Sequence, residues 1–527
     1  MCTDASDACL QPCTSPDKSN GLLLMPPSSP DRSPLKPCRT EPSVLRSQHL
    51  LEVQSDCDGP KEQPRKQGRA KTRTINHITL GFIAYFAVAA GPFGVEDAVR
   101  AAGPYPVLLA VVLLPFTWGL PQALMTAELS SMISENGGYI LWVRRGLGQY
   151  AGWVNAFNCI ASNACDLPTY PVLFCSYVEA FLVSGYNYSL SGTERWLVKC
   201  LALLFVFVSN VVGLRAVAVA SVLMSLFVLA PFILEPLSIE TFNLATWGSV
   251  APDIDWSVFL STILWNYQGW DSLGCVAGEV KEGGRTYPIA ITIAMILITV
   301  NYAVPVGAGI MVKSDFSQWH EGSLETIAMS IAPWLGVWVG MAAVVATLGE
   351  FNVVMACSSR ALWATADYKM LPSFLAIEWE RFETPVAAVI FQTITTGMLM
   401  NFSFEILVVI DTFFNNLTLM LEFFAFLRLK YVEKDTERPF VVPFGSAGAW
   451  AITLPKIVVL LGVLIAQKRS VWVICGLFNV VVSSAYLVWR RFHPPQQGTC
   501  AYARTSTTVP TTYGTGLSSQ PVVVHRS

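Results

Sequence analysis

The feature that most constrains this chain is a series of apolar runs, each about twenty residues or longer, recurring between residues 76 and 491. A hydrocarbon core about 30 Å thick is crossed by about 20 helical residues, so each run is long enough to span a bilayer. The runs are continuously apolar and do not alternate, which excludes the strands of a β-barrel. With 53% hydrophobic and 13% charged residues, the chain also lacks the polar surface of a water-soluble enzyme of 527 residues. The expectation is an all-α polytopic membrane protein seated in a lipid bilayer. Twelve spans are expected, at 76–103, 105–134, 150–184, 195–213, 216–239, 255–280, 287–313, 325–364, 385–403, 405–430, 449–467 and 470–491. The eighth is too long for one helix and should include a segment on the outer surface.

Loop charges give an expected orientation. Arg65, Lys66, Arg69, Lys71 and Arg73 precede the first span; Arg144 and Arg145 follow the second, and Arg215 separates the fourth from the fifth. Lys281 and Arg285, Lys369 and Arg381, then Arg428, Lys430, Lys434 and Arg438, and finally Arg490 and Arg491 follow later even-numbered spans. The opposite loops are poor in basic residues apart from Lys468 and Arg469, so both termini are expected in the cytosol. The sequons at Asn187 and Asn401 then fall on outer loops. Residues 1–74 are rich in Ser, Pro and charge and lack the apolar region of a signal peptide, so they read as a disordered cytosolic tail. Ser15, Ser29 and Ser33 precede prolines there, either as phosphorylation sites or as ordinary tail composition; residues 493–527 form a second cytosolic tail. Of thirteen cysteines, five lie in the first tail and most others inside apolar runs, which suggests neither disulfides nor a metal site.

Two spans share an oddity. The first is broken by Gly-Pro-Phe-Gly at residues 91–94, and the sixth carries WNYQGWDS at residues 265–272 with Gly269 in mid-membrane. Two interrupted helices five spans apart suggest inverted five-helix repeats whose broken helices expose backbone groups to a central site. The other reading is a pair of kinked packing helices.

The segment AGEVKEGGRTYPIAI (277–291) resembles the signature at the inner end of the sixth helix in the amino acid/polyamine/organocation (APC) superfamily. GPFGVED (91–97), ENGGYILWV (135–143), DLPTYPVLF (166–174), LEFFAFLRLK (421–430) and ERPFVVP (437–443) resemble, more narrowly, the polyamine transporters of plants and parasitic protozoa. The resemblance implies a LeuT-like 5+5 inverted repeat with twelve transmembrane helices, of which helices 1 and 6 are broken. It also implies a ten-helix transport core over 75–430, two additional helices over 431–492, and uptake driven by protons or membrane potential.

The residues support a cationic substrate. Amino acid transporters of this fold receive a carboxylate on the free N–H groups of interrupted helices. Here Pro92 removes a donor, Phe93 adds bulk, and Glu96 and Asp97 bring negative charge to the same place. A polyamine instead needs separated carboxylates, carbonyl or amide acceptors, and aromatic faces for its methylene stem. Carboxylates inside a span are costly and are functional candidates by default.

In the third span Asn155, Cys159, Asn163, Asp166 and Tyr170 share one helical face, with Asp166 as the expected amine counter-ion. Around the two breaks, Gly91, Phe93, Gly94, Trp265, Asn266, Trp270 and Asp271 are expected to line the substrate site, the tryptophans as platforms and Asn266 as an acceptor. Asp271 reads equally as a second ammonium ligand and as a helix cap. In the tenth span Asp411, Asn415, Thr418 and Glu422 form another polar face. Gating or proton coupling is expected of Glu96, Asp97, Glu128, Glu279, Glu350, Asp411 and Glu422, with packing or ion pairing the alternative for Glu128 and Glu350. Glu235 reads as solvated near the outer end of the fifth span, and no histidine suggests a relay.

The expected function is secondary active import of putrescine, spermidine or cadaverine at the plasma membrane, with an organelle membrane the alternative. No cofactor is expected beyond a proton gradient as coupling ion. The partners are a small cationic substrate and the bilayer, and no nucleic acid. A cationic amino acid transporter for arginine, lysine or ornithine and a nutrient-sensing receptor are the competing readings. No nucleophile and base pair, metal-spaced cluster or phosphate loop points to an enzyme.

Overall fold

A computed structural model describes residues 73–89, 91–234 and 247–492. Residues 1–72 of the first tail, with Ser15, Ser29 and Ser33, the whole of the second tail, and Glu235 lie outside the described residues. What is described is built of helices joined by turns, with only isolated bridges, such as the parallel one from Ile75 to Val280.

The chain enters α1 (His77–Val88) at Asn76, whose side chain accepts the Thr79 N–H at 2.9 Å and caps the helix. It leaves helical geometry at Ala89, turns through Gly94 at φ +80°, and resumes as the short α2 (Glu96–Ala102). Pro104 opens α3 (Pro104–Leu114), which continues through a π turn at Pro115–Gly119 into α4 (Leu120–Met132). Pro115 and Pro121 both lack the N–H of a regular ladder, which accounts for the irregularity. Then come α5 (Tyr139–Leu147), α6 (Gln149–Asp166), α7 (Thr169–Tyr186), α8 (Gly192–Val212) and α9 (Leu214–Leu234). Beyond them, α10 (Trp256–Trp265) is followed by a 3₁₀ segment (Trp270–Glu279) and by α11 (Gly283–Val312), α12 (Ser323–Ile331) and α13 (Pro333–Asp367). The chain ends its described part with α14 (Val386–Leu399), α15 (Phe404–Val432), α16 (Gly445–Ala466) and α17 (Arg469–Phe492).

Among the described residues, nine stretches are long and apolar enough to cross a membrane, while α1 and α14 are apolar but shorter. Burial separates inner helices from outer ones. The apolar windows of α13 and α15 are 72% and 61% buried, whereas those of α8 and α17 are each 22% buried, so α13 and α15 form the interior. Small residues let α13 pack closely: a Cβ at Gly349 would stand 2.4 Å from the Phe86 ring on α1. Alongside, α15 lies against α5 and α6, and α1 against α11.

Three expected spans differ in detail. The third, taken as one helix, is divided between Asp166 and Thr169, where Pro168 cannot donate to the ladder. The eighth is α12 followed by α13, broken at Ala332 just before Pro333, as its length required. The second half of the sixth is a tight 3₁₀ run that starts after Gly269 at φ +95°. A Cβ on Gly269 would stand 2.1 Å from the Ala87 carbonyl, so the two interruptions touch backbone to backbone.

Candidate functional site

Where α1 ends, a cavity of about 50 Å³ opens between α6, α7, the turn after α10, α13 and α15. Its wall carries four carboxylates, Asp166, Asp271, Glu350 and Asp411, and none of the described lining residues is Lys, Arg or His. Tyr139, Tyr170 and Trp265 give aromatic surface, and Ala87 and Val88 a small apolar one.

Three of the four, the aspartates, accept from donors on other elements. Asp166, at the end of α6, accepts the Trp265 indole N–H at 2.9 Å and the Tyr170 hydroxyl at 3.2 Å. Tyr170 stacks on Phe351 of α13 at 5.8 Å, so its position is fixed from behind. Asp411, fully buried on α15, accepts the Ser162 hydroxyl at 2.5 Å and the Gln268 amide at 2.7 Å. Gln268 in turn accepts from Asn415 Nδ2 at 2.8 Å, joining the turn after α10 to α15. Asp271 accepts from Gln122 Nε2 at 2.6 Å. The stripes anticipated in the third and tenth spans therefore meet here: Cys159, Asn163, Asp166 and Tyr170 from one, Asp411, Asn415 and Thr418 from the other.

Several expected ligands do other work. Trp270 is fully buried and does not line the cavity; it packs against the Gly119 backbone, where a Cβ would lie 3.2 Å from its Nε1. Asn266 braces the break through its own hydrogen bonds and is not among the residues lining the cavity. Its Nδ2 donates to the Thr262 and Gly94 carbonyls at 2.8 and 3.2 Å, and its Oδ1 accepts the Tyr302 hydroxyl at 2.7 Å. Gly94 also gives its N–H to the Tyr177 hydroxyl at 2.8 Å, so both of its backbone groups are used. Phe93 packs edge-on against Tyr177 and crowds Gly91; Gly91, Phe93 and Gly94 all stand away from the cavity. Asn155 donates to the Tyr139 carbonyl at 3.3 Å and is likewise not in the wall. Asp411 and Glu350, expected only as gating or coupling groups, line the cavity itself.

Two charged layers flank it. Beyond the first break, α2 carries Glu96, fully buried with no hydrogen-bond partner for its carboxylate among the described residues, and Asp97, paired with Arg100 at 2.7 Å. Nearby, in the turn before α12, burial and then the charge of Asp97 push the Glu321 carboxyl up to about 7. At the end where the chain enters α1, Glu279 accepts Arg360 Nε at 2.9 Å and Asn136 Nδ2 at 3.2 Å. Glu128 is fully buried and accepts from Lys430 at 2.5 Å, Arg438 at 2.8 Å and the Val442 N–H at 2.8 Å. Through those partners Glu128 ties α4 to α15 and to the chain before α16.

Glu422 lies behind the wall, fully buried. Sequence reasoning missed Ser162, Gln122 and Gln268, which only the packing reveals as donors, and Lys456. For Lys456 a signal existed: it is the one basic residue inside the run 449–467.

The amino acid permease family model matches residues 74–503. The polyamine transporter PUT1 of Oryza sativa subsp. japonica is 34% identical over 409 residues, which cover 77% of this chain and 76% of that protein. The polyamine transporter RMV1 of Arabidopsis thaliana is 34% identical over 425 residues, covering 78% and 85%. The human b(0,+)-type amino acid transporter 1 is more distant, 22% identical over 424 residues and covering 76% and 83%.

Proposed function

Because this chain belongs to the amino acid permease family, and so is a multi-pass membrane protein, we propose that it is a polyamine transporter whose substrate binds in the four-carboxylate cavity. The observation that carries this reading is the wall itself: Asp166, Asp271, Glu350 and Asp411, with Trp265 and Tyr170 beside them and no basic side chain among the described lining residues. Such a wall repels a carboxylate and suits an alkyl chain bearing ammonium groups at its ends. The polyamine transporters among its relatives support the same substrate class.

In this reading residues 75–430 form a ten-helix core of LeuT-like inverted repeats with interruptions in helices 1 and 6, and residues 431–492 add two helices, for twelve in all. Both termini face the cytosol of a plasma-membrane protein. Four carboxylates facing two ammonium groups leave excess negative charge that is costly in a dry interior. Protons taken up with the substrate offset it, and that links transport to the proton gradient. An inside-negative potential adds roughly 2.3 kcal/mol per charge per 100 mV, or about 4.6 kcal/mol for putrescine.

The test is uptake of labelled putrescine in cells producing the protein, with a panel of diamines, triamines and basic amino acids as competitors. Diamines should compete and arginine should not; inhibition by arginine as strong as that by putrescine would move the assignment to cationic amino acids. In vesicles held at zero potential, an imposed pH gradient should drive accumulation, and indifference to the gradient would remove proton coupling.

A further inference from the structure

We propose that Lys456 is a positioning residue for the cation site: an ammonium supplied by α16 that sets the charge of the Asp271 and Glu422 carboxylates, and with it the competition between substrate and protons.

Lys456 follows Pro455 in the middle of α16 and is fully buried. Its Nζ donates to the Trp118 carbonyl at 2.9 Å and to Gln122 Oε1 at 3.3 Å, and lies 3.2 Å from the centroid of the Trp118 ring. Trp118 sits in the π turn Pro115–Gly119, where the widened helix turns a backbone carbonyl toward this side chain. Gln122 passes the contact on. Its oxygen faces Lys456 while its amide donates to Asp271 Oδ1 at 2.6 Å, and these two partners fix which way the amide points. Asp271 is part of the cavity wall. An unbroken chain thus runs from α16 through α4 to the substrate site.

Glu422 completes the cluster. It is fully buried on α15, neither carboxylate oxygen has a hydrogen-bond partner among the described residues, and it interacts electrostatically with both Lys456 and Asp271. The charged groups facing Lys456 are Asp271 from the 3₁₀ segment and Glu422 from α15; the neutral Gln122 comes from α4 and the Trp118 carbonyl from the π turn before it. Tyr139 on α5 and Cys159 on α6 are further titratable groups in electrostatic contact with Asp271.

An ammonium out of water costs several kcal/mol unless it is paired, and an apolar side chain would dock α16 more cheaply. A lysine here is therefore best explained by its charge. With both acids ionised and the lysine protonated the cluster carries a net charge of −1, which attracts one substrate ammonium.

The inference rests on the cavity carrying cations, and the test separates the two claims. Wild type and Lys456→Met, Lys456→Gln and Lys456→Arg are compared for the pH dependence of KM for putrescine at matched surface protein. In the Met and Gln variants Asp271 has lost the neighbouring ammonium while Glu422 remains, so it takes a proton more readily at acid pH, the cavity wall loses a charge and KM rises. At alkaline pH a resident cation has been removed and KM falls, each by roughly threefold for a charge a few ångströms behind the ligand. The profile should cross that of wild type, and Arg should follow wild type. Joining Lys456→Met with Glu422→Gln restores the net charge and should bring the profile back toward wild type. Profiles that superimpose on wild type would overturn the inference, as would a loss of surface protein in Lys456→Met that the double variant leaves unrepaired. Wild type that carries no putrescine would instead sink the functional reading itself.

Discussion

Trp265 donates its indole N–H to the Asp166 carboxylate at 2.9 Å. The last residue of α10 thereby fixes the carboxylate at the end of α6, and its ring lies 5.8 Å from Tyr170. A buried carboxylate needs such donors to stay ionised. The same pair offers a substrate one charged group and an aromatic surface side by side, so a stem and its ammonium can be held together.

Asp166→Asn should raise KM for putrescine at least about tenfold, since a charge-assisted contact becomes a neutral one. Surface protein should be unchanged, because asparagine keeps an acceptor for Trp265. Trp265→Phe keeps the ring and removes the donor, so its effect should be smaller and greatest at acid pH. Initial uptake rates against concentration, with surface biotinylation, measure both; wild-type KM in Asp166→Asn would take this residue out of the site.

Asp411 should receive the other ammonium of a diamine. In Asp411→Asn, affinity for putrescine should fall by roughly tenfold or more, while inhibition by butylamine, with one ammonium, should change little. Competition curves for the two amines decide it. Equal losses for both would mean that Asp411 acts on the whole site and not on one end of the substrate.

The sequence made the helices legible because lipid demands long apolar runs, and it pointed to Asp166, Tyr170 and Asp411 because 3.6-residue spacing gathers polar groups on one face. Spacing cannot say which polar residue near a break faces inward. Asn266 and Gln268 are two residues apart, yet Asn266 braces Gly94 and Tyr302 while Gln268 holds Asp411. Their roles are set by what lies opposite: the Gly94 carbonyl for one, α15 for the other. The position of Trp270 is set in a similar way, since the tight turn after Gly269 directs it to Gly119 on the π turn. Lys456 was overlooked because its partners are more than 300 residues away in the chain.

Gly269→Ala should destabilise the protein and abolish transport. Its φ of +95° costs an L-residue about 1–2 kcal/mol, and the new methyl would meet the Ala87 carbonyl at 2.1 Å. Gly185→Ala is the control, because nothing lies within 4 Å of a Cβ there. Fluorescence-detected gel filtration after heating should show a lower midpoint for the first and none for the control.

Glu128→Gln should cost about 3–5 kcal/mol, the usual penalty for leaving a buried partner uncompensated. Lys430 and Arg438 both donate to this one carboxylate and are themselves nearly buried. Poor surface delivery and a lower thermal midpoint are expected, whereas Glu433→Gln, at the more exposed pair with Arg145, should be mild. Wild-type stability in Glu128→Gln would mean that this network contributes little to the fold.

Glu321 offers a pH test outside the helices. Burial, aided by Asp97, raises its carboxyl from the ordinary 4.5 to about 7 in the folded chain. Folding then takes up a proton between these values, so the stabilising contribution is complete below pH 4.5 and is lost as pH rises through about 7. Other acids titrate over the same interval, so the difference between wild type and Glu321→Gln isolates this one. Glutamine mimics the protonated side chain and stays neutral. The Tm of the variant should match wild type at pH 4.5 and exceed it by a margin that grows up to about pH 8, once Glu321 is fully charged in the wild type. Thermal unfolding in detergent at half-unit pH steps measures that margin. A constant offset, or none, would show that Glu321 is solvated in the folded protein, and that the turn before α12 does not respond to pH through this residue.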